Sequence, residues 1–120
     1  GEPTENKLAL GAKGALRFEI LARGKMAHSA YPELGESAIE KLLEVLQRLR
    51  SAPLASDPVL GASTLNIGTI NGGRAPNVIA DEARAEIFIR LVDGGEAARE
   101  MVHQAAAGFA EAREVLCIPA

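Results

Sequence analysis

The chain of 120 residues has a single cysteine, Cys117. One thiol cannot close an internal disulfide, and such scarcity points to a reducing compartment. Tryptophan is absent, and the aromatics are Phe18, Tyr31, Phe88 and Phe109. Four rings are too few for a platform on which nucleic-acid bases stack. Basic charge is not in excess either: 13 Lys and Arg against 16 Asp and Glu leave a net charge of −3. Nucleic-acid binding needs the opposite, clustered positive charge that displaces phosphate counterions. No apolar run approaches the roughly 18 residues needed to span a bilayer. The polar, acidic stretch GEPTENKL lacks the basic and then apolar pattern of a secretory leader. A cytoplasmic protein without nucleic-acid or membrane partners is expected. Two histidines and three aspartates complete a short inventory of catalytic groups. What is present, 48% apolar and 24% charged residues, has the balance of one soluble globular domain. It is not expected to be a self-contained enzyme.

Residues 1–13 read as a lead-in segment. From Gly14 to Gly24 the chain alternates: Leu16, Phe18, Ile20 and Ala22 against Arg17, Glu19 and Arg23. This is the period of a half-buried strand. Lys25–Leu34, with Pro32 and small residues, reads as a loop. Ser37 and Glu40 have capping-box spacing at the head of a helix whose apolar face is Ala38, Ile39, Leu42, Leu43, Leu46 and Leu49. After a connector marked by Pro53 and Pro58, Ser63–Ile70 reads as a second strand with Gly68 as a bulge. The loop NGGRAPN leads to a third strand over Val78–Leu91. Its inward set is Ala83, Ala85, Ile87, Ile89 and Leu91. Asp93 and Glu96 repeat the capping pattern before a helix bearing Ala98, Met101, Val102, Ala105 and Phe109, and Val115–Ile118 offers a last strand.

The order β-α-β-β-α-β, with one-sided strands and one-sided helices, predicts an α+β, ferredoxin-like sandwich. In it a four-stranded antiparallel sheet carries both helices on one face. The second and fourth strands then lie at the edges. The second, STLNIGTI, has no charge and no proline, and unprotected edges invite pairing. Two readings fit it: pairing between two copies of the chain, or cover by the preceding connector.

Few residues stand out chemically. His28 lies in a loop of small residues just after a strand, a setting suited to a proton donor or ligand. His103 falls on the polar side of the second helix and reads as solvated. GGRAPN (Gly72–Asn77) lacks phosphate-loop spacing and is followed by a strand, so it reads as a turn. Asn77 and Arg90 are thirteen residues apart, an odd separation that puts them on opposite faces unless a bulge intervenes. Cys117 reads as a small buried apolar residue. Glu2, on spacing alone, carries no signal.

In combination these segments are more specific. GEPT, then KG at a strand start, G-x-x-AHSAxPxxGxxAI from Gly24, LNIGTINGGxxxNVI from Leu65, and an arginine thirteen residues past Asn77 follow one another in order. The pattern resembles the dimerisation (lid) domain of the M20 metallopeptidases and amidohydrolases, among them acetylornithine deacetylase and succinyl-diaminopimelate desuccinylase. These hydrolyse amide bonds of N-acyl amino acids or small peptides with zinc and a bridging water. The resemblance implies that His28 reaches into a partner subunit's active site and stabilises the tetrahedral oxyanion. It implies that Asn77 contacts substrate and that Arg90 clamps a substrate carboxylate. Gly72 and Gly73 would shape the loop presenting Asn77, and Glu2 matches a zinc-ligating glutamate of the GEP motif. Ala80 departs from the family's NVIPD, where a proline is usual. One carboxylate cannot hold a catalytic zinc, which needs at least three protein ligands. The remaining ligands would belong to a missing catalytic domain.

The expectation is therefore a lid domain over residues 14–118. It would form a homodimer through the first helix and the edge strand 63–70, act on a small N-acyl amino acid or peptide only within the full-length enzyme, and be inactive and zinc-free alone. The alternative is a stand-alone ferredoxin-like regulatory module that binds an amino acid between subunits.

Overall fold

A computed structural model describes residues 12–120. The first strand, β1 (Gly14–Arg23), is followed by a two-residue strand β2 (Ala27–His28), a 3-10 turn at Pro32–Leu34 and helix α1 (Ala38–Ser51). The connector holds a small hairpin, β3 (Ser56–Asp57) and β4 (Gly61–Ala62). Strands β5 (Thr64–Gly72), β6 (Val78–Ile79) and β7 (Glu82–Leu91), helix α2 (Glu96–Ala106) and strand β8 (Glu111–Ile118) complete the chain. The main sheet has the order β5-β7-β1-β8 and is antiparallel throughout. With both helices packed against it, this is the predicted ferredoxin-like sandwich.

Register explains the core. Leu16 stands beside Ile89, which stands beside Leu65; Phe18 beside Ile87, then Ile67. These rows face the helices, where Leu42, Val45, Leu46 and Leu49 of α1 and Val102 and Ala105 of α2 close over them. Leu16, Phe18, Ile20, Ile87 and Ile89 are buried to within 1%, each stabilising the fold by about 1.5–3 kcal/mol. The other face of the sheet is open and charged. There Glu19 and Glu86 are cross-strand neighbours, a repulsive placement. Arginines offset it: Arg84 and Arg113 reach Glu19 at 3.6 and 2.6 Å, and Arg17 reaches Glu86 at 3.6 Å.

Several boundaries differ from the sequence reading. The third strand is broken at Ala80 and Asp81, whose carbonyls leave the ladder. Ala80 O accepts from Ala38 N at 2.8 Å at the start of α1, and Asp81 O accepts from Gly24 N at 2.9 Å. Ala80, where the family proline is missing, thus belongs to neither β6 nor β7. Leu43 is half-exposed, and Val45, outside the predicted apolar face, is buried: the stripe that meets the sheet is rotated toward Val45 and away from Leu43. Ser37 does cap α1, its Oγ accepting from Glu40 N at 3.2 Å. Asp93 does not cap α2: its carboxylate accepts from Gly95 N at 2.9 Å, and Gly95, at φ +94°, is the N-cap. The last strand begins earlier, at Glu111, and Gly68 falls at the predicted bulge in β5. Cys117 is only partly buried, with Sγ 3.0 Å from Nη2 of Arg99.

Candidate functional site

The loops at one end of the sheet converge on His28. Beyond β1 the chain is held by a reciprocal pair of backbone bonds, Lys25 N to Glu36 O at 2.8 Å and Glu36 N to Lys25 O at 2.9 Å. Gly24 is required beside it, since a Cβ there would meet Glu36 O at 2.0 Å. Strand β2 then pairs with β6, setting His28 opposite Val78. One step further, Ser29 N donates to Asn77 O at 2.9 Å. His28 and Asn77, forty-nine residues apart in sequence, are therefore neighbours across one short ladder. The imidazole is exposed, tilted against Tyr31 with ring centroids 6.3 Å apart, and its Nδ1 accepts from Ala30 N at 3.0 Å.

The loop carrying Asn77 depends on two glycines. Gly73 has φ +85°, the left-handed region in which a Cβ is strained. Gly72 lies so close to Ala83 that a Cβ would stand 2.8 Å from that residue's own. Between them and Asn77, Arg74 makes a two-pronged pair with Asp81, both distances 3.3 Å. The Arg74 guanidinium holds the Asp81 carboxyl below the usual carboxylate range, and the pairing raises Arg74 in turn. Neither residue was singled out from the sequence. In the sequence Arg74 reads only as part of a turn, and no periodicity links it to Asp81. A groove of about 700 Å³ opens on the other side of this loop, lined by Ser29, Pro76 and Ile79 with Ile39 and Leu43 of α1.

Arg90 is elsewhere. It stands near the far end of β7, in register with Ala15 and Thr64, about 27 Å of strand from Glu82. Its guanidinium lies 4.7 Å over the Phe88 ring on the open face. One chain thus brings His28 and Asn77 together and holds Arg90 apart. Glu2 and the GEPT motif lie outside the described residues. Among the described residues no three His, Cys, Asp or Glu side chains converge as metal ligands. A zinc ion does not fit the donor set described. His103, on α2, is exposed but sets its ring edge-on to Phe18 at 5.4 Å.

No helix among the described residues is long and apolar enough to cross a membrane. The profile of the peptidase dimerisation domain matches residues 10–113. The chain belongs to the M20 peptidase dimerisation-domain family. A peptidase M20 domain-containing protein of Schizosaccharomyces pombe is 52% identical over 101 residues, covering 84% of this chain. A probable carboxypeptidase of Ajellomyces dermatitidis is 46% identical over 116 residues, covering 89%. This dimerisation domain spans only 25% and 27% of those relatives. The crystal structure of an aminobenzoyl-glutamate utilization protein from Klebsiella pneumoniae superposes with a TM-score of 0.72 at 24% identity. That match covers 91% of this chain and 30% of the other, and at such identity the likeness is one of fold.

Proposed function

We propose that residues 14–118 are the lid of a zinc-dependent M20 hydrolase acting on N-acyl amino acids or small peptides. The lid joins two copies and lends side chains to a site whose metal is held elsewhere. The observation that carries this reading is the edge formed by β5. From Thr64 to Gly72 it has no charge, its inner neighbour is β7, and the connector pairs with itself as β3 and β4 rather than with β5. Ile70 on this strand and Leu43 on α1 are each 51% exposed, an apolar flank beside unpaired backbone groups.

Pairing β5 with β5 of a second copy about a two-fold axis also answers the separation of Arg90. A fully overlapped antiparallel pair is centred on Gly68 and sets Thr64 opposite Gly72 of the second copy. Arg90, in register with Thr64, then lies two strand spacings, about 10 Å, from that Gly72. Gly72 begins the loop of Asn77. The dimer therefore sets Arg90 of one copy beside the loop that carries Asn77, and with it His28, of the other, once at each end of the β5–β5 seam at the middle of an eight-stranded sheet. In this reading Arg90 grips a substrate carboxylate with its fork of donors, Asn77 contacts the substrate, and His28 donates to the developing oxyanion. Gly72 and Gly73 shape the Asn77 loop. Glu2 is assigned to the zinc of the full-length enzyme by its motif alone.

Sedimentation equilibrium of the 120-residue chain tests the pairing: a two-fold mass is expected, and a monomer up to millimolar concentration would overturn it. In the full-length enzyme, His28→Gln should lower kcat by about 10²–10³ with little change in KM. An unchanged kcat would remove His28 from the reaction.

A further inference from the structure

The His28 loop is fastened by three backbone donors. Ser29 N reaches Asn77 O at 2.9 Å, Tyr31 N reaches His28 O at 2.9 Å, and Ala30 N reaches the imidazole itself, at Nδ1, at 3.0 Å. The third bond has a chemical consequence that the first two lack. A backbone N–H can only donate, so the nitrogen it meets must offer a lone pair. A neutral imidazole carries one proton, shared between two nitrogens as alternative tautomers. With Nδ1 committed as acceptor, that proton resides on Nε2.

We infer that Ala30 is a positioning residue: its backbone N–H locks His28 as the Nε2–H tautomer, so the ligand atom that meets His28 is a hydrogen-bond acceptor. The geometry is that of an Asx turn, with the imidazole nitrogen in place of a carboxylate oxygen, bonding the N–H two residues on. The bond also removes the ring's remaining lone pair from use. The neutral side chain then donates to a carbonyl or alkoxide oxygen. It does not abstract a proton, and it does not ligate a metal through Nδ1. The exposure of the ring fits this division of labour: Nδ1 faces its own loop and Nε2 is left for another molecule.

The inference rests on the reading of His28 as ligand-facing, but its test is independent of catalysis. Long-range proton–nitrogen spectra of the labelled 120-residue chain, recorded well above the usual imidazole pKa of about 6.5, report which nitrogen bears the proton. His28→Gln assigns the signals by deleting them. His103, with its ring against Phe18, is the internal reference for an imidazole on a helix surface. Expected for His28 are a protonated Nε2, an unprotonated Nδ1, and a nitrogen–nitrogen coupling across the hydrogen bond from the Ala30 amide. Shifts averaged between tautomers without that coupling, or a proton on Nδ1, would overturn the inference. Either result leaves the kcat effect of His28→Gln to be judged separately. Conversely, an unchanged kcat would sink the catalytic role while leaving the tautomer measurement standing.

Discussion

The two edges of the sheet are built from opposite materials. Along β5, nine residues from Thr64 to Gly72 carry no charge, and Ile70 among them is half-exposed. Along β8, charges fill the first half: Glu111 faces Arg23 at 3.6 Å, Arg113 reaches Glu19 at 2.6 Å, and Glu114 binds Arg99 of α2 at 2.5 Å. Only beyond them does β8 turn apolar and exposed, at Val115, Leu116 and Ile118. Charge on an edge strand raises the cost of adding another strand, because a new neighbour would bury it unpaired. Two edges of one sheet, equal in backbone, thus differ in what can join them. β8 is defended where its ladder is longest, and β5 is left open.

That contrast is most easily broken at the centre of β5. Gly68 lies on the proposed two-fold axis, so any side chain placed there faces its own copy. A Cβ at Gly68 meets nothing nearer than 3.7 Å, so the monomer should accept Gly68→Lys. Two lysines face to face are expected to weaken dimerisation at least about 100-fold, in line with the several kcal/mol that like charges cost across an interface. Val115→Lys on β8 should leave the association constant unchanged. Equal effects from the two variants, read by sedimentation, would show that the edges are not distinct. A smaller effect is expected from stripping the defence of β8. Glu111→Thr with Arg113→Thr removes two exposed charges while keeping β propensity. The chain should then associate weakly beyond the dimer, since a sheet open at both edges grows without closing. A dimer whose mass stays constant with concentration would mean that those charges are not what protects β8.

How much of this was legible beforehand depends on whether a local pattern or a distant contact decides the matter. Alternation placed β1 and β7, the Ser37–Glu40 spacing placed α1, and the bulge at Gly68 was visible as a lone glycine in an apolar strand. The break at Ala80 was not visible, because it arises from a carbonyl turned toward Ala38 N, a contact across forty-two residues. Asp93 misled for a related reason. Its carboxylate accepts from Gly95 N, two residues on, and Gly95 in the left-handed region takes the N-cap position that the spacing to Glu96 had suggested for Asp93. The exposure of Leu43 turns on how far the helix is rotated about its axis: the buried stripe runs through Ala38, Leu42, Val45, Leu46 and Leu49, and Leu43 falls outside it. At the site, His28 and Asn77 stood out through the motif they resemble, while their adjacency is a matter of β2–β6 register. The Arg74–Asp81 pair left no mark in the sequence, and the lone-pair commitment of His28 is a property of a fold rather than of a string.

The smallest expected effect concerns two ion pairs, one near each edge. Asp81 is held below the usual carboxylate range chiefly by its hydrogen bond from Arg74, and Glu114 chiefly by its bond from Arg99. A carboxyl whose native pKa is lowered binds its proton more weakly folded than unfolded, so it stabilises the fold at neutral pH. That contribution is complete above the unfolded carboxylate pKa of about 4 and is lost as pH falls through the lower native value. Urea midpoints should therefore be flat from neutrality to about pH 5 and decline below about pH 4. Both pairs are exposed to solvent, so each slope is shallow and reduced by salt. Arg74→Gln and Arg99→Gln should each lower the neutral-pH midpoint slightly and make the acid decline gentler. The Arg99 variant should be the more costly, because Arg99 also donates to Cys117 and fastens α2 to β8, whereas Arg74 fastens only a loop. The reverse order would mean that the loop beside β5, and not the helix against β8, is the more tightly coupled to the fold, and the charged edge would then be protected at the surface without being anchored beneath it.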